Sequence, residues 1–407
     1  MTGADQGGGK LLGNNCRAEL NEFGPAIALI LTFKEWNRRG AGEMKIVILA
    51  RENDNHTAPL KWALGQAGYE VICWAGVGWH ASRQASISFS DETRLTLGSH
   101  TLGAGDVVWI RRPEQPIENP KVAECDKRFA EEEYRWFNHS IMYLLEILPI
   151  RCFNKYSASR FINNKSVQLL LARSCGMNVP HTLMSNSPAE VRNYLQQDSA
   201  RAICKVFSPH IWRKEGSGAV AVTETFEISG ATLPADEVLT YAPAIYQQMV
   251  VKKFDVRLVL LGTTVYSCAL HNPKGAIDWR QDASQGFVHV ECIETPAEVE
   301  RGVLAFAAKS GISYGSFDFA VDAEGCWWFL EVNEGGQFLW LDTFNPEIHV
   351  QEKFLAFLTS PEGSSRQTIK ERQSLFPSWK DYLASPARHQ QVPEPPESDP
   401  KFVSIER

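Results

Sequence analysis

Several common signatures are missing from this 407-residue chain. No GxxxxGK[ST] run occurs, which excludes a P-loop nucleotide site. Gly76-Val-Gly78 lacks a third glycine and a following helix pattern, so it does not make a dinucleotide fingerprint. GxSxG and HExxH are absent, and the ten histidines show no metal-ligand spacing. The nine cysteines are scattered singly from Cys16 to Cys326 without a CxxC pair, a pattern of reduced thiols and neither a disulfide framework nor a zinc site. Long apolar runs are lacking too. Residues 26–33, AIALILTF, are far too few to span a bilayer. A signal peptide is poorly supported there, because Glu19 and Glu22 precede the run and Lys34 and Glu35 follow it. The formal charge of −7 argues against bulk binding to nucleic acid or an anionic membrane, while leaving room for a local basic groove. The expectation is a soluble, cytoplasmic protein.

What is present is ordinary globular material, 44% hydrophobic and 22% charged, and long enough for two or three domains. Residues 1–43 differ from the rest, with a Gly-rich start and Arg38-Arg-Gly-Ala-Gly42 at the end. They read as a disordered N-terminal extension, with Met44 a candidate start. Met44–Ala50 is a continuous apolar run of the parallel-strand kind, followed by a helix near Pro59–Ala67 and a strand at Tyr69–Trp74. That β-α-β order predicts an α/β domain over residues 44–150. Asp106–Pro113 is a further strand whose end carries Arg111 and Arg112, where either an anion site or a solvated strand end is expected. A long helix is predicted over 121–148, stopped at Pro149.

Ser157–Gly176 reads as one helix with Val167, Leu170, Leu171 and Ser174 on a common face. Capping boxes at Ser187–Glu190 and Thr295–Glu298 predict two more helix starts. Lys205 lies inside the apolar strand Ala202–Phe207, where a lysine calls for an anionic or acceptor partner. Residues 208–228 read as a mobile hairpin whose Arg213 and Lys214 are as readily solvated as phosphate-closing. Asp255 and Arg257 are two apart on a strand and share a face, which suits a structural ion pair or a phosphate clamp. Beyond residue 359 the chain is rich in Ser, Pro, Gln and charge, so residues 360–407 are expected to be a mostly disordered tail with one docking cluster at Phe376–Tyr382.

The most informative stretch is Ser316–Trp340. Two apolar runs separated by Asp322-Ala-Glu-Gly325 predict a β-hairpin. If the turn centres on Ala323-Glu324, Asp318 faces Phe329 with Glu331 its diagonal neighbour, and Asn333 points the same way. Three hard oxygen donors then converge from an otherwise apolar strand pair. Burying carboxylates there is costly unless they are paired or hold a metal, and Mg²⁺ suits a site that leaves positions for phosphates. An edge hairpin with a solvated face is the plainer alternative. Two lysines, a strand-borne arginine and this hairpin suit phosphoryl transfer, where positioning and charge neutralisation supply most of the catalysis.

The ordered segments VVWIRRP (107–113), SRFINNKSVQLLLARSCGMNVPHTLMSN (159–186), ICKVF (203–207), IYQQMVVKKFDVRLVLLG (245–262), IDWRQ (277–281) and FDFAVD…FLEVNEGGQFLW (317–340) resemble the ATP-grasp superfamily, and within it the graspetide synthetases, microviridin-type peptide ligases. The resemblance covers residues 44–359 and implies an α/β ATP-grasp fold. It divides the chain into a pre-ATP-grasp domain (44–150), a central linker domain (151–200) and an ATP-grasp domain (201–359). It implies that Lys165 and Lys205 touch phosphate and adenine, that the backbone of Gln248, Met249 and Val250 reads the adenine edge, and that Asp255 lies near the ribose. Arg257 is expected at the terminal phosphates, Asp318, Glu331 and Asn333 as magnesium ligands, and Arg280 beside the reacting carboxylate. Gln248 departs from the acidic residue usual in the family, and the 208–218 loop has no family match. The implied activity is an ATP- and Mg²⁺-dependent ligase closing ester or amide macrocycles on a ribosomal precursor peptide, with leader binding around 208–245. A ligase for free amino acids or small peptides, or a non-catalytic ATP-binding module, are the alternatives. A homodimer is one option for assembly; nucleic acid and membrane are not expected partners.

Overall fold

The computed structural model describes residues 44–389 apart from 52–53, 118, 198–200, 209–210, 214–219, 224, 284–285 and 361–364. The expected extension at 1–43, the loop residues Lys214 and Gly216–Gly218, and the last part of the tail lie outside the described residues.

The first unit contains β1 (Lys45–Ala50), α1 (Thr57–Gln66), β2 (Glu70–Trp74), β3 (Ala85–Phe89), β4 (Thr93–Leu97), β5 (His100–Thr101), β6 (Val107–Arg112), α2 (Lys127–Ile147) and β7 (Arg151–Phe153). Its main sheet has the order β2-β1-β6-β7, all parallel, and β3-β4-β5 form a small antiparallel sheet beside it. The unbroken apolar run of β1 follows from burial on both faces. Ile46 and Ile48 enter one core with Trp109, while Val47 and Leu49 enter another with Ile141 and Leu145 of α2.

Next come α3 (Tyr156–Ile162), α4 (Lys165–Ser174), β8 (Thr182–Ser185), α5 (Pro188–Gln197), β9 (Ala202–Lys205), β10 (Ile211–Arg213), β11 (Val220–Val222), β12 (Phe226–Ile228), α6 (Asp236–Tyr241) and β13 (Ala244–Gln248). The single helix expected over 157–176 is two. The Asn164 side chain caps the second helix by accepting from the N–H groups of Ser166 and Val167, which breaks the first at Asn163. The buried face of α4 is Gln168 and Ala172, and Leu170 is 70% exposed, so the expected face is rotated. β12-β9-β13-β8 form an antiparallel sheet spanning both sides of residue 200. The expected domain boundary at 200/201 therefore runs through a sheet, because β8 pairs with β13 and not with a neighbour in its own segment.

The third unit contains β14 (Lys252–Leu261), β15 (Thr264–His271), α7 (Arg280–Ala283), β16 (His289–Ile293), α8 (Ala297–Ser310), β17 (Tyr314–Asp322), β18 (Trp327–Asn333), α9 (Trp340–Phe344) and α10 (Val350–Thr359). Its sheet is β16-β15-β14-β17-β18, antiparallel throughout. One face buries Val256, Leu258, Phe317 and Phe329 against α8 and α4. The other carries the polar groups described below and, further along, Val259 and Leu261, which share a core with β1 and β6. The capping box expected at Thr295 does not form: Pro296 is the N-cap, and Thr295 Oγ1 lies 2.7 Å from Ser267 Oγ.

The tail differs from expectation. Residues 365–389 are structured, with α11 (Arg366–Arg372) and α12 (Trp379–Ala384). Ile369 is fully buried, Phe376 stacks on Tyr69, and Tyr382 meets Trp62. The docking cluster expected at Phe376–Tyr382 does pack, and the polar composition around it concealed only the buried Ile369 and the helices around these anchors. Among the described residues no helix is long and apolar enough to cross a membrane.

Candidate functional site

A cleft of about 740 Å³ opens between the β12-β9-β13-β8 sheet and the polar face of the five-stranded sheet. Seven cationic side chains line it against four carboxylates, so the wall attracts anions although the chain as a whole is negative.

The β17–β18 hairpin supplies its acids. Val321, Ala320 and Phe319 pair with Trp327, Trp328 and Phe329, and then the register shifts so that Asp318 faces Glu331 and Ser316 faces Asn333. This corrects the expected pairing of Asp318 with Phe329. The turn is one residue longer than assumed, and Leu330 is extra at a β-bulge. The bulge is decisive for the chemistry. Phe329 and Val332 both enter the apolar core, so an unbulged strand would send Glu331 in with Phe329. With it, Asp318, Glu331 and Asn333 all line the cleft.

Asp318 is also the direct β14 partner of Arg257, whose Nε lies 3.1 Å from its Oδ1. Arg257 is 3% exposed and sits behind the cleft wall, its guanidinium 5.5 Å from the Trp340 ring centroid. It pairs with Asp318 and not with Asp255, which Lys252 holds at 2.7 Å. Arg280 approaches Asp318 Oδ2 to 3.7 Å and Asp278 Oδ2 to 3.2 Å, stacked over Trp279. Burial pushes the Asp318 carboxyl up to about 6, against the pull of Arg257. At Glu331 burial acts in the same upward direction, but Lys165 at 2.6 Å, with Lys205 and Arg280 beyond, outweighs it and holds the carboxyl down at about 2. Ser316 Oγ is buried without a hydrogen-bond partner among the described residues, while Arg257 Nε is ion-paired with Asp318 without the alignment of a hydrogen bond. An all-oxygen donor set of two carboxylates and one amide, with the unpartnered Ser316 hydroxyl beneath it, fits magnesium. Among the described residues no group of three His, Cys, Asp or Glu side chains could hold a metal, which leaves no comparable zinc-type site.

From the opposite wall, Lys205 Nζ donates to Gln247 Oε1 at 2.8 Å, and Gln247 Nε2 to Thr182 Oγ1 at 2.9 Å. Burial lowers the Lys205 pKa, partly countered by Glu331. Gln248, Met249 and Val250 connect the two sheets and line the cleft. The Gln248 N–H donates to His181 O at 2.9 Å and the Met249 N–H to Arg201 O at 2.7 Å, which commits both within the protein.

No family model and no curated protein sequence matches the chain. Solved structures do. A Chryseobacterium gregarium RiPP-associated ATP-grasp ligase, in complex with ADP and a leader and core peptide, matches with a TM-score of 0.66 and 23% identity over 77% of this chain and 96% of that one. The macrocyclase MdnC of Microcystis aeruginosa MRC, bound to precursor peptide MdnA, matches with a TM-score of 0.61 and 21% identity over 77% of this chain and 98% of that one. The ATP-grasp ligase PsnB, complexed with minimal precursor, Mg and ADP, gives 0.56 and 21% over 76% and 98%. This chain has the ATP-grasp fold.

The ATP-grasp cleft contains groups that sequence reasoning missed or left undecided. Arg111 and Arg112, read together at a strand end, have separate fates. Arg111 is buried, donating to Gly335 O at 2.7 Å with Asp54 at 3.6 Å, while Arg112 lines the cleft, where its Nη1 donates to the Gln337 amide oxygen at 2.7 Å once that amide is turned to present its oxygen. Lys252 bridges Asp255 and the Ile277 carbonyl at 2.8 Å. Alternation along β6 distinguishes the two arginines once the buried face is known; nothing local marks Lys252 or Gln247. The loop after β18 is held by His56, whose Nε2 accepts from the N–H groups of Phe338 (3.2 Å) and Leu339 (3.4 Å). Gly335 packs so closely that a Cβ would lie 3.2 Å from Arg111 Nη1, and Gly336 has φ 58°.

Proposed function

We propose that this protein is an ATP- and Mg²⁺-dependent ligase that joins a side-chain carboxylate to a hydroxyl or amine of the same ribosomal precursor peptide. One observation carries the reading: Asp318 and Glu331 face each other beneath a cation-lined ATP-grasp cleft, with Asn333 alongside. The ADP, Mg and precursor peptides in the complexes of similar fold support it.

In this reading Asp318, Glu331 and Asn333 would hold magnesium, which would neutralise phosphate charge. Lys165 and Lys205 would contact phosphates and the base, and Asp255 the ribose. The adenine edge would be read by the Val250 N–H and a neighbouring carbonyl of 248–250. Arg257 acts from behind Asp318, orienting it towards the terminal phosphates. A peptide carboxylate oxygen attacks the γ-phosphorus and ADP leaves. The hydroxyl or amine then attacks the acyl carbon and phosphate leaves, so each ring closed removes one water. Arg280, free to turn from Asp278, would stabilise the acyl phosphate and the tetrahedral oxyanion. We place the reaction in the cytoplasm, where ATP is supplied and thiols such as the described free cysteines stay reduced. A homodimer is the assembly to test. Phe129, Trp136 and Tyr143, seven residues apart along α2, are 68%, 62% and 49% exposed and offer a face for a second copy. Trp136→Glu should then lower the mass seen by light scattering.

The deciding experiment is intact-mass analysis of peptides encoded beside the gene, each co-expressed with the protein. Loss of whole waters, absent with Glu331→Ala, is expected. Unchanged masses with ADP release on free amino acids or dipeptides would replace this reading by a small-molecule ligase. Unchanged masses with no turnover would leave an ATP-binding module.

A further inference from the structure

The cysteines read as isolated in sequence are not all isolated in space. β15 and β16 pair so that Cys268 stands directly opposite Cys292. Facing residues of an antiparallel pair have Cα atoms about 4.5–5.5 Å apart, inside the range of about 4.4–6.8 Å that a disulfide spans. Both thiols are free and share a hydrogen bond. Their surroundings are unequal: Cys292 is exposed on the edge strand of the sheet, and Cys268 is 1% exposed beneath it. The Cys268 hydrogen bond, helped by Lys353 and His349 and opposed by burial, holds the Cys292 thiol down at about 6. Cys268 is pushed up by that same hydrogen bond, then by burial and Asp342, with Lys353 acting against them. Cys292 has the access and thiolate character of an attacking cysteine, and Cys268 the position of a resolving one.

We propose that Cys292 and Cys268 are an oxidation-sensitive pair that a hydroperoxide converts into a cross-strand disulfide. The Cys292 thiolate attacks the hydroperoxide oxygen, the O–O bond breaks, and the leaving alkoxide or hydroxide takes a proton. The sulfenic acid so formed is attacked by Cys268. The S–S bond forms, the S–O bond breaks, and the oxygen leaves as water. The pair loses two protons and two electrons, the hydroperoxide is reduced, and a dithiol reverses the change. The pair ends a register row that runs Cys292, Cys268, Arg257, Asp318, Glu331 across all five strands, so the modification falls on the sheet that carries the cleft acids.

The test treats the full chain with stoichiometric hydrogen peroxide, alkylates the remaining thiols and digests with trypsin without reductant. Cleavage after Arg257, Lys274, Arg280 and Arg301 separates the two cysteines. The expected product is one linked peptide pair, two hydrogens lighter than its parts and split by dithiothreitol. Exposed Cys73, Cys125 and Cys326 stay alkylated in the same digest. In Cys268→Ser the reaction should stop at a Cys292 sulfenic acid trapped by dimedone. Cys292 alkylated in peroxide-treated wild type as fully as Cys326, or oxidised to sulfinate without any link, would overturn the proposal. The wild-type map decides this by itself if the variant does not fold, and no outcome depends on ligase activity.

Discussion

Asp318 and Glu331 share a register position but not an electrostatic fate. Glu331 is kept ionised by Lys165, so Glu331→Gln removes one of two oxygen donors and the negative charge that pairs with the lysine. ADP release should fall at least 100-fold, about 3 kcal/mol of transition-state stabilisation, measured as initial rates at saturating ATP. Gln247 lines the cleft and anchors Lys205 there, so Gln247→Leu should mainly raise KM for ATP, by about tenfold. An equal loss in kcat would mean that Lys205 acts in the chemical step. His56 gives a prediction in pH. Burial, then Arg111 and Arg112, depress its pKa from 6.5 to about 3, and it accepts two hydrogen bonds only when neutral. A depressed pKa means stability fully present above about pH 6.5 and lost as pH falls towards 3, amounting to about 2 kcal/mol by pH 5. Denaturant midpoints between pH 7 and pH 5 should show this loss, and His56→Gln should lack it. At this scale Asp318, Glu331, Lys205 and Arg257 were legible, because charge inside apolar strands is conspicuous, whereas Lys165 and Arg280 came only with the family resemblance. Gln247, Lys252 and His56 were not, since each matters through a partner between three and 283 residues away.

At the scale of elements, the hairpin was legible and its register was not. Alternation fixes a strand and the Asp322–Gly325 turn fixes a reversal, but a bulge leaves no mark in a run such as Trp327-Trp-Phe-Leu-Glu-Val. Removing Leu330 should therefore restore plain alternation, with Phe329 and Val332 in the core and Glu331 and Asn333 still on the cleft face. The deletion should give soluble protein with a cooperative thermal transition, and insoluble protein would show that the bulge itself is needed for folding. The same limit explains the divided helix at 156–174: hydrophobic spacing continues through Asn163-Asn164, and only the cap formed by the Asn164 side chain ends it.

For the whole molecule, sequence reasoning located the α/β unit and the ATP-grasp sheet but not how they share material. β1, β6, β14, β15 and α10 contribute to one core, and α11 joins it through Ile369. Truncation after Ser360 should therefore lower the melting temperature by about 5–10 °C while leaving nucleotide affinity near wild type, read by calorimetry on both proteins. Composition misled there, because three or four apolar residues suffice to dock a segment that is polar on average.

The strands β8, β9, β12 and β13 make an excursion from the rest of the chain, which leaves just before His181 and returns through Met249–Val251. Its two ends lie side by side, since the Gln248 N–H donates to His181 O at 2.9 Å. A segment with adjoining ends can be excised or replaced at two breakpoints without rethreading anything else. The half of the cleft that carries Lys205 and Gln247 is in that sense a cassette, and descendants of this gene could exchange it whole while the Asp318–Glu331 half stays fixed.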